Sequence, residues 1–265
     1  MTLFNRGQTD PSAFPELEQL RGDRNGDLAA LRGHSWETVV DVSGTQPDWV
    51  RRSARLLSSI VDRYLVVSST AVYETFANLP ADESLRLRDG QGDGYGARKA
   101  GCEAEAEAAL PGRVCLPRPV YAVGPGDPDS RLDAWLSPVS SSQTLRLPSA
   151  PEDVVLFVDV RDLAAFVVVL LEARETGPFN VANRVAARQL VAACASVTGV
   201  DPEVEWRASA EPPPMLHRPE GSLRHWGALD TRRAAARGFA VRPLAETLTD
   251  AWSSSLEGER AEVGD

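Results

Sequence analysis

The chain has 265 residues, 43% of them hydrophobic and 25% charged, and a formal net charge of −10 at pH 7. An acidic balance argues against a nucleic-acid partner, because binding to phosphates rests on clustered Lys and Arg. No apolar run approaches the roughly 18–20 residues of a membrane span. The opening MTLFNRGQTD has no apolar signal-peptide core, and Cys102, Cys115 and Cys194 show no CxxC spacing. Reduced thiols in a cytoplasmic protein are therefore expected. His34, His217 and His225 form no metal-ligand spacing, so metal catalysis is not expected.

Taken in chain order, apolar runs at 1–4, 17–20, 38–42, 64–67, 113–116 and 154–158 predict strands. The second of these, LEQL, is the weakest pattern, since only its two leucines are apolar. Helical patterns fall at 48–61, 95–110, 161–173, 187–198 and 244–254. Strands separated by helices of this length read as βαβ units around a parallel sheet. The stretch 207–226, with EPPP at 211–214, reads as an irregular loop, and the polar, acidic tail beyond Trp252 reads as frayed.

The chemistry concentrates in two places. In YLVVSSTAVY, residues 64–73, an apolar strand ends in a run of hydroxyls, at the carboxyl edge where open α/β sheets place their ligands. Further on, YGARK at 95–99 holds the single lysine of a chain whose other 27 basic residues are all arginine. On a helix Tyr95 and Lys99 share a face. A phenol normally titrates near pH ~10, and a neighbouring ammonium favours the phenolate. A nearby Ser hydroxyl then holds a substrate oxygen against that phenol. The compact ammonium also reaches where the broad fork of Arg does not. The bland alternative is a helix-surface Tyr beside a solvated Lys; the hydroxyl cluster upstream and the isolation of Lys99 favour the catalytic reading.

These residues resemble the extended short-chain dehydrogenase/reductase superfamily, specifically the bacterial NAD-dependent epimerase/dehydratases, over nearly the whole chain. The resemblance implies Ser69, Tyr95 and Lys99 as catalytic residues. RPVYAVGPGDP at 118–128 is similar to the family segment that passes the nicotinamide, which brings in Pro119 and Val120. FVDVRDLA at 157–164, GPFNVAN at 177–183 and RPLAETLTDAW at 242–252 resemble later landmarks. LFNRG at 3–7 resembles the end of the second strand, where an acidic residue suits a ribose hydroxyl and Arg suits a 2′-phosphate; Asn5 and Arg6 therefore lean toward NADP(H) over NAD(H). RGDRNGDL at 21–28 resembles the segment after the third strand, where Asp23 would approach adenine with Arg24 as a further cofactor-binding candidate. VVDVSG at 39–44 resembles the fourth strand and its cofactor-facing turn, with Ser43.

The implied fold is α/β, a Rossmann-like doubly wound parallel sheet with a small C-terminal substrate-binding subdomain. Residues 1–124 and 151–182 would form the dinucleotide-binding core, and 125–150 and 183–265 the substrate-binding part. Thr70, Arg131 and Asp133 are the polar candidates for a small-molecule substrate.

Two departures stand out. Relatives that dehydrate nucleotide sugars carry an acidic pair after the catalytic hydroxyl; here Thr70 and Ala71 occupy those positions, which leaves epimerisation or carbonyl/alcohol redox chemistry. The first strand and its glycine-rich turn have no counterpart upstream of Met1. The true start lies upstream, or the chain is naturally shortened and rearranged, or a partner chain completes the sheet. Unpaired strand edges would then favour self-association, so a homo-oligomer is one expectation. The rival readings are a cofactor-independent isomerase or cyclase using the same pocket, and a non-catalytic sensor or scaffold.

Overall fold

The computed structural model describes residues 1–207, Met215 and 226–263. Its central sheet is parallel, in the order β3 (Trp36–Asp41), β4 (Val61–Val66), β5 (Val114–Pro119) and β9 (Gly177–Val181). Alternation along each strand decides which face each side chain covers. Tyr64, Val66, Val114 and Leu116 point to one face, under α1 (Pro47–Leu57) and α2 (Tyr95–Ala109). Leu65 and Cys115 point to the other, under α4 (Val160–Glu172).

Helix α2 is made largely of Ala, Gly and Glu. Its buried face is small, with Gly96, Ala97, Ala100, Gly101, Cys102 and Ala106, so the helix backbone approaches its neighbours closely. Gly101 shows how closely: a Cβ there would lie 2.6 Å from the Gly90 carbonyl oxygen and 2.7 Å from the Pro47 ring of α1.

Strands β1 (Thr2–Asn5) and β2 (Glu18–Arg21) form a separate parallel pair. Among the described residues β1 pairs as a strand with β2 alone and β3 with β4 alone, so the sheet is interrupted between β1 and β3. Side chains cross the interruption. The Trp36 indole N–H donates to Thr2 Oγ1 at 3.1 Å, and the Arg24 guanidinium pairs with both carboxylate oxygens of Asp41. Phe4, Leu20 and Leu28 pack on the core under α1.

A second core is built from α3 (Asp133–Ser141), α5 (Ala187–Thr198) and α7 (Leu244–Val263). They pack on β6 (Ala122–Val123), β8 (Val154–Asp159) and β10 (Asn183–Ala186), a mixed sheet in the order β10-β8-β6. β7 (Thr144–Leu147) pairs in parallel with β11 (Glu203–Trp206), and the short α6 (Arg232–Ala235) packs beside β9.

Several elements differ from the sequence expectation. The helix expected over 48–61 stops at Leu57, because its continuing apolar run is the start of β4. The tail expected to fray continues α7 as far as Val263, through residues rich in good helix formers. Most of the loop expected at 207–226 lies outside the described residues. Among the described residues no helix is long and apolar enough to cross a membrane, and no group of His, Cys, Asp or Glu could hold a metal ion.

Candidate active site

β4 delivers its chain end to the carboxyl edge of the sheet. Ser69 follows in extended backbone, φ −163° and ψ 150°, and caps the short 3-10 turn Thr70–Val72. Its Oγ accepts the Ala71 N–H at 3.1 Å, so the hydroxyl proton remains available to donate elsewhere. Thr70 is buried and Ala71 half-buried.

The helix carrying Tyr95 is set directly against that turn. A Cβ on Gly96 would lie 2.0 Å from the Ala71 carbonyl oxygen, so only glycine lets α2 sit there. The Arg88 Nε also donates to this carbonyl, at 2.9 Å. The Tyr95 phenol lies within hydrogen-bonding reach of the Ser69 hydroxyl. Burial pushes the phenol above its ordinary pKa, while the Ser69 hydroxyl and the cations Arg131 and Arg98 pull it back down. Tyr95 is 50% exposed, which leaves room for a reacting group at its oxygen.

Lys99 shares the face of Tyr95 but lies deeper. Its ammonium donates to the Val67 carbonyl at 2.7 Å and to the Gly44 carbonyl at 2.9 Å. It thus ties α2 to the ends of β4 and of the turn after β3. Burial holds its pKa below the ordinary lysine value. The cationic pull on the phenol comes chiefly from Arg131 and Arg98 rather than from Lys99 as the sequence suggested.

Arg131 stands in the loop before α3, with its guanidinium over the Tyr121 ring, 5.9 Å from the centroid. It pairs with Asp127 at 2.5 Å and also with Asp129. Tyr121 is exposed and meets Trp226 edge to face at 5.8 Å. Asp133 turns away to α7, accepting the Ser255 hydroxyl at 2.6 Å.

The residues expected at the cofactor separate into two groups. Asn5 and Arg6 line a cavity of about 370 Å³ with residues 7–10, beyond the end of β1. Pro119 and Val120 are buried at the end of β5. Arg24 is committed elsewhere: it grips Asp41 and donates to Ser43 Oγ at 3.0 Å and Ser53 Oγ at 3.1 Å. Asp23 caps its own turn by accepting the Asn25 N–H at 2.8 Å.

Four residues that sequence reasoning passed over belong to this site. Gly96 sets the approach of α2, and Ser68, Glu103 and Arg118 form a buried cluster behind Ser69. The signal for Arg118 was present, a charge in the otherwise apolar run VCLPRP.

The Rossmann-like sheet thus brings Ser69, Tyr95 and Lys99 together at its carboxyl edge. The sequence profile of the NAD dependent epimerase/dehydratase family matches residues 17–182, well over half of the chain. The chain belongs to this family, whose members are NAD-dependent enzymes. No curated protein sequence matches the chain at a significant level. Among solved structures it is similar to a dTDP-glucose 4,6-dehydratase from Bacillus anthracis in complex with NAD, with TM-score 0.70 and 14% identity over 98% of this chain and 88% of that one. It is also similar to a UDP-glucuronic acid 4-epimerase from Bacillus cereus in complex with NAD, with TM-score 0.67 and 13% identity over 97% and 90%. The RMD protein of Pseudomonas aeruginosa, complexed with NADPH, gives TM-score 0.62 and 19% identity over 96% of each chain. At these identities the likeness is one of fold.

Proposed function

We propose that the protein is an NAD(P)-dependent oxidoreductase or epimerase acting on a carbonyl or secondary alcohol of a small molecule. The observation that supports it best is the pairing of Ser69 with Tyr95. The backbone N–H of Ala71 occupies an acceptor site of the Ser69 hydroxyl, which directs its proton outward. A substrate oxygen placed between Ser69 and Tyr95 accepts from both. The phenol stays protonated through neutrality, because burial raises its pKa. It can therefore give its proton to a carbonyl oxygen, and Ser69 orients that oxygen. The reverse direction needs the phenolate, so alcohol oxidation should rise toward alkaline pH. The two positions after Ser69 carry no carboxylate, which argues against dehydration.

A bound nicotinamide supplies hydride chemistry. The residues that fit such a group are Arg6 and Asn5 at the cavity beyond β1, Lys99 with a third N–H beyond its two carbonyl acceptors, and Pro119 and Val120. Exposed Arg6 favours the 2′-phosphorylated form by charge-assisted pairing. The interruption between β1 and β3 favours a second reading, a cofactor-independent isomerase or cyclase using the same hydroxyls for proton transfer.

Titration with NADPH and NADH, followed by nicotinamide fluorescence, separates these. Tighter binding of NADPH is expected; equal or tighter binding of NADH would remove Arg6 from the reading, and no binding of either would favour the second. Tyr95→Phe should leave binding and fold intact while turnover falls by about 100-fold or more. A variant keeping a tenth of the wild-type rate would exclude Tyr95 as the acid–base.

A further inference from the structure

The buried cluster behind the site joins the strand end before Ser69, the helix of Tyr95 and Lys99, and β5. Glu103 lies one turn beyond Lys99 on α2, and Arg118 lies on β5 just before Pro119 and Val120. Their side chains, each 4% exposed, meet through Nη2–Oε2 at 2.6 Å and Nε–Oε1 at 2.9 Å. Ser68 donates its hydroxyl to Glu103 Oε1 at 2.5 Å. Arg118 Nη1 donates to the Tyr73 oxygen at 2.9 Å, and the Tyr73 hydroxyl donates to Asn180 Oδ1 on β9 at 2.7 Å.

A buried ion pair is weak evidence for stability, because desolvation offsets most of the attraction, and apolar residues of similar volume often serve as well. Its geometric consequence is more specific. Ser69 is extended, so consecutive side chains leave the chain on opposite sides. The Ser68 hydroxyl is held inward by Glu103, and the Ser69 hydroxyl is thereby turned outward. Glu103 also sits on the same helix as Tyr95, two turns further along. One ion pair therefore sets both the rotation of the 68–69 segment and the seat of α2.

We propose that Glu103 and Arg118 are positioning residues, which act through Ser68 to hold the Ser69 hydroxyl against the Tyr95 phenol. This rests on the Ser69–Tyr95 pairing of the proposed function. The groups that bear on the phenol are Ser69 from the turn after β4, Arg98 and Cys102 from its own helix, and Arg131 from the loop before α3. The positioning variants change none of them.

The test needs no substrate. The chain has four tyrosines, so protein labelled with ¹³C at tyrosine Cζ gives a small set of signals, and loss of one in Tyr95→Phe assigns Tyr95. Burial pushes Tyr73 to about 12, which separates its titration from ordinary phenols. Ser69→Ala should move the Tyr95 midpoint upward, because a hydroxyl that favours the phenolate is lost. Ser68→Ala and Glu103→Gln should move it upward too, and Ser68→Thr, which keeps the hydroxyl, should restore it. Removing the Glu103 charge would by direct electrostatics move the midpoint downward, so an upward shift isolates the positioning effect. A merely structural role would lower the melting temperature and leave the midpoint in place. Should Ser69→Ala raise the midpoint while neither Ser68→Ala nor Glu103→Gln does, the positioning role is overturned and the Ser69–Tyr95 pairing stands. Should Ser69→Ala itself have no effect, both fall. Ser68→Ala removes a single oxygen and carries the test if Glu103→Gln fails to fold.

Discussion

The two sides of the sheet are joined to the body of the protein in different ways. The tightest joint around Ser69 is main chain against main chain, where the Gly96 backbone lies on the Ala71 carbonyl, and the buried Lys99 side chain adds hydrogen bonds to the carbonyls of Gly44 and Val67. On the other side, the β1–β2 pair is held by side chains. Arg24 reaches Asp41, Trp36 reaches Thr2, and Trp49 reaches Asn25 at 3.1 Å. Backbone joints fix position to a fraction of an ångström, as proton transfer requires. Side-chain ties carry rotamer freedom and hold more loosely. The region proposed to do chemistry is thus the stiff one, and the region proposed to receive the far end of a cofactor is the compliant one.

The sharpest way to break the stiff side is Gly96→Ala. An interior helical Gly→Ala change ordinarily stabilises by about 0.5–1 kcal/mol. Here the added methyl meets a carbonyl oxygen that cannot move without displacing the Ser69 turn. A loss of about 3 kcal/mol is expected, the upper end of ordinary overpacking. Urea denaturation measures it, and the sign alone decides. A stabilised variant would mean that α2 does not rest on that turn.

The compliant side is tested by Arg24→Met. Asp41 is left with a side chain only 3% exposed, although Tyr64 and the Ser43 N–H still donate to it. Removing one partner of a buried pair costs about 3–5 kcal/mol; the partial exposure of Arg24 and the remaining donors bring the expectation to about 2 kcal/mol. Hydrogen exchange should show the distinction: β1 and β2 lose protection while α2 keeps it. Uniform loss across both would make the two sides one cooperative unit.

How much of this was legible depended on range. The sequence singles out Ser69, Tyr95 and Lys99 as candidates because each sits at a recognisable spacing within one strand end or one helical turn. The fit of Gly96 could not, since a glycine after the first helical residue looks merely permissive until the Ala71 carbonyl is beside it. Glu103 and Arg118 are 15 residues apart and pair only because α2 returns to β5. Arg24, a cofactor-binding candidate in the sequence, pairs with Asp41 in the fold, a contact no local pattern announces. α3 escaped notice because Pro138 and a run of serines hide its period, and β7 and β11 because four-residue strands leave too little alternation to detect.

A third joint lies between the stiff and compliant cases and responds to acid. Asp159 caps α4 and binds Arg161 and the Thr247 hydroxyl of α7, while Arg161 also reaches Asp250. Burial opposes its charge, but the Arg161 and Thr247 hydrogen bonds prevail and hold the carboxyl below its usual range. With the folded pKa depressed, the stabilisation is present above the unfolded value near ~3.9 and is lost as pH falls through the folded value. Below about pH 4, exchange in α7 should therefore rise before exchange in α2. Thr247→Val should move that onset to higher pH, and an unmoved onset would assign the acid response to other groups.

The smallest effect separates two explanations of how β1 is held. Trp36→Phe keeps an aromatic ring against His34, which stacks on the indole at 5.3 Å, and removes the N–H that reaches Thr2 together with part of the indole's packing. Thr2 retains a partner, since its hydroxyl donates to Glu18 at 2.6 Å, so no buried group is orphaned. The hydrogen bond's share of the loss is about 0.5 kcal/mol, the low end for such a bond. The informative quantity is its coupling to Arg24→Met. If side-chain ties hold the β1–β2 pair, losing Arg24 already loosens it, and the Trp36 bond then contributes less. The double variant should be less destabilised than the sum of the two single variants, by more than the few tenths of a kcal/mol within which distant sites add. Strict additivity would transfer the anchoring from these ties to Phe4 and Leu20, whose packing on the core would then be what joins the two sides of the sheet.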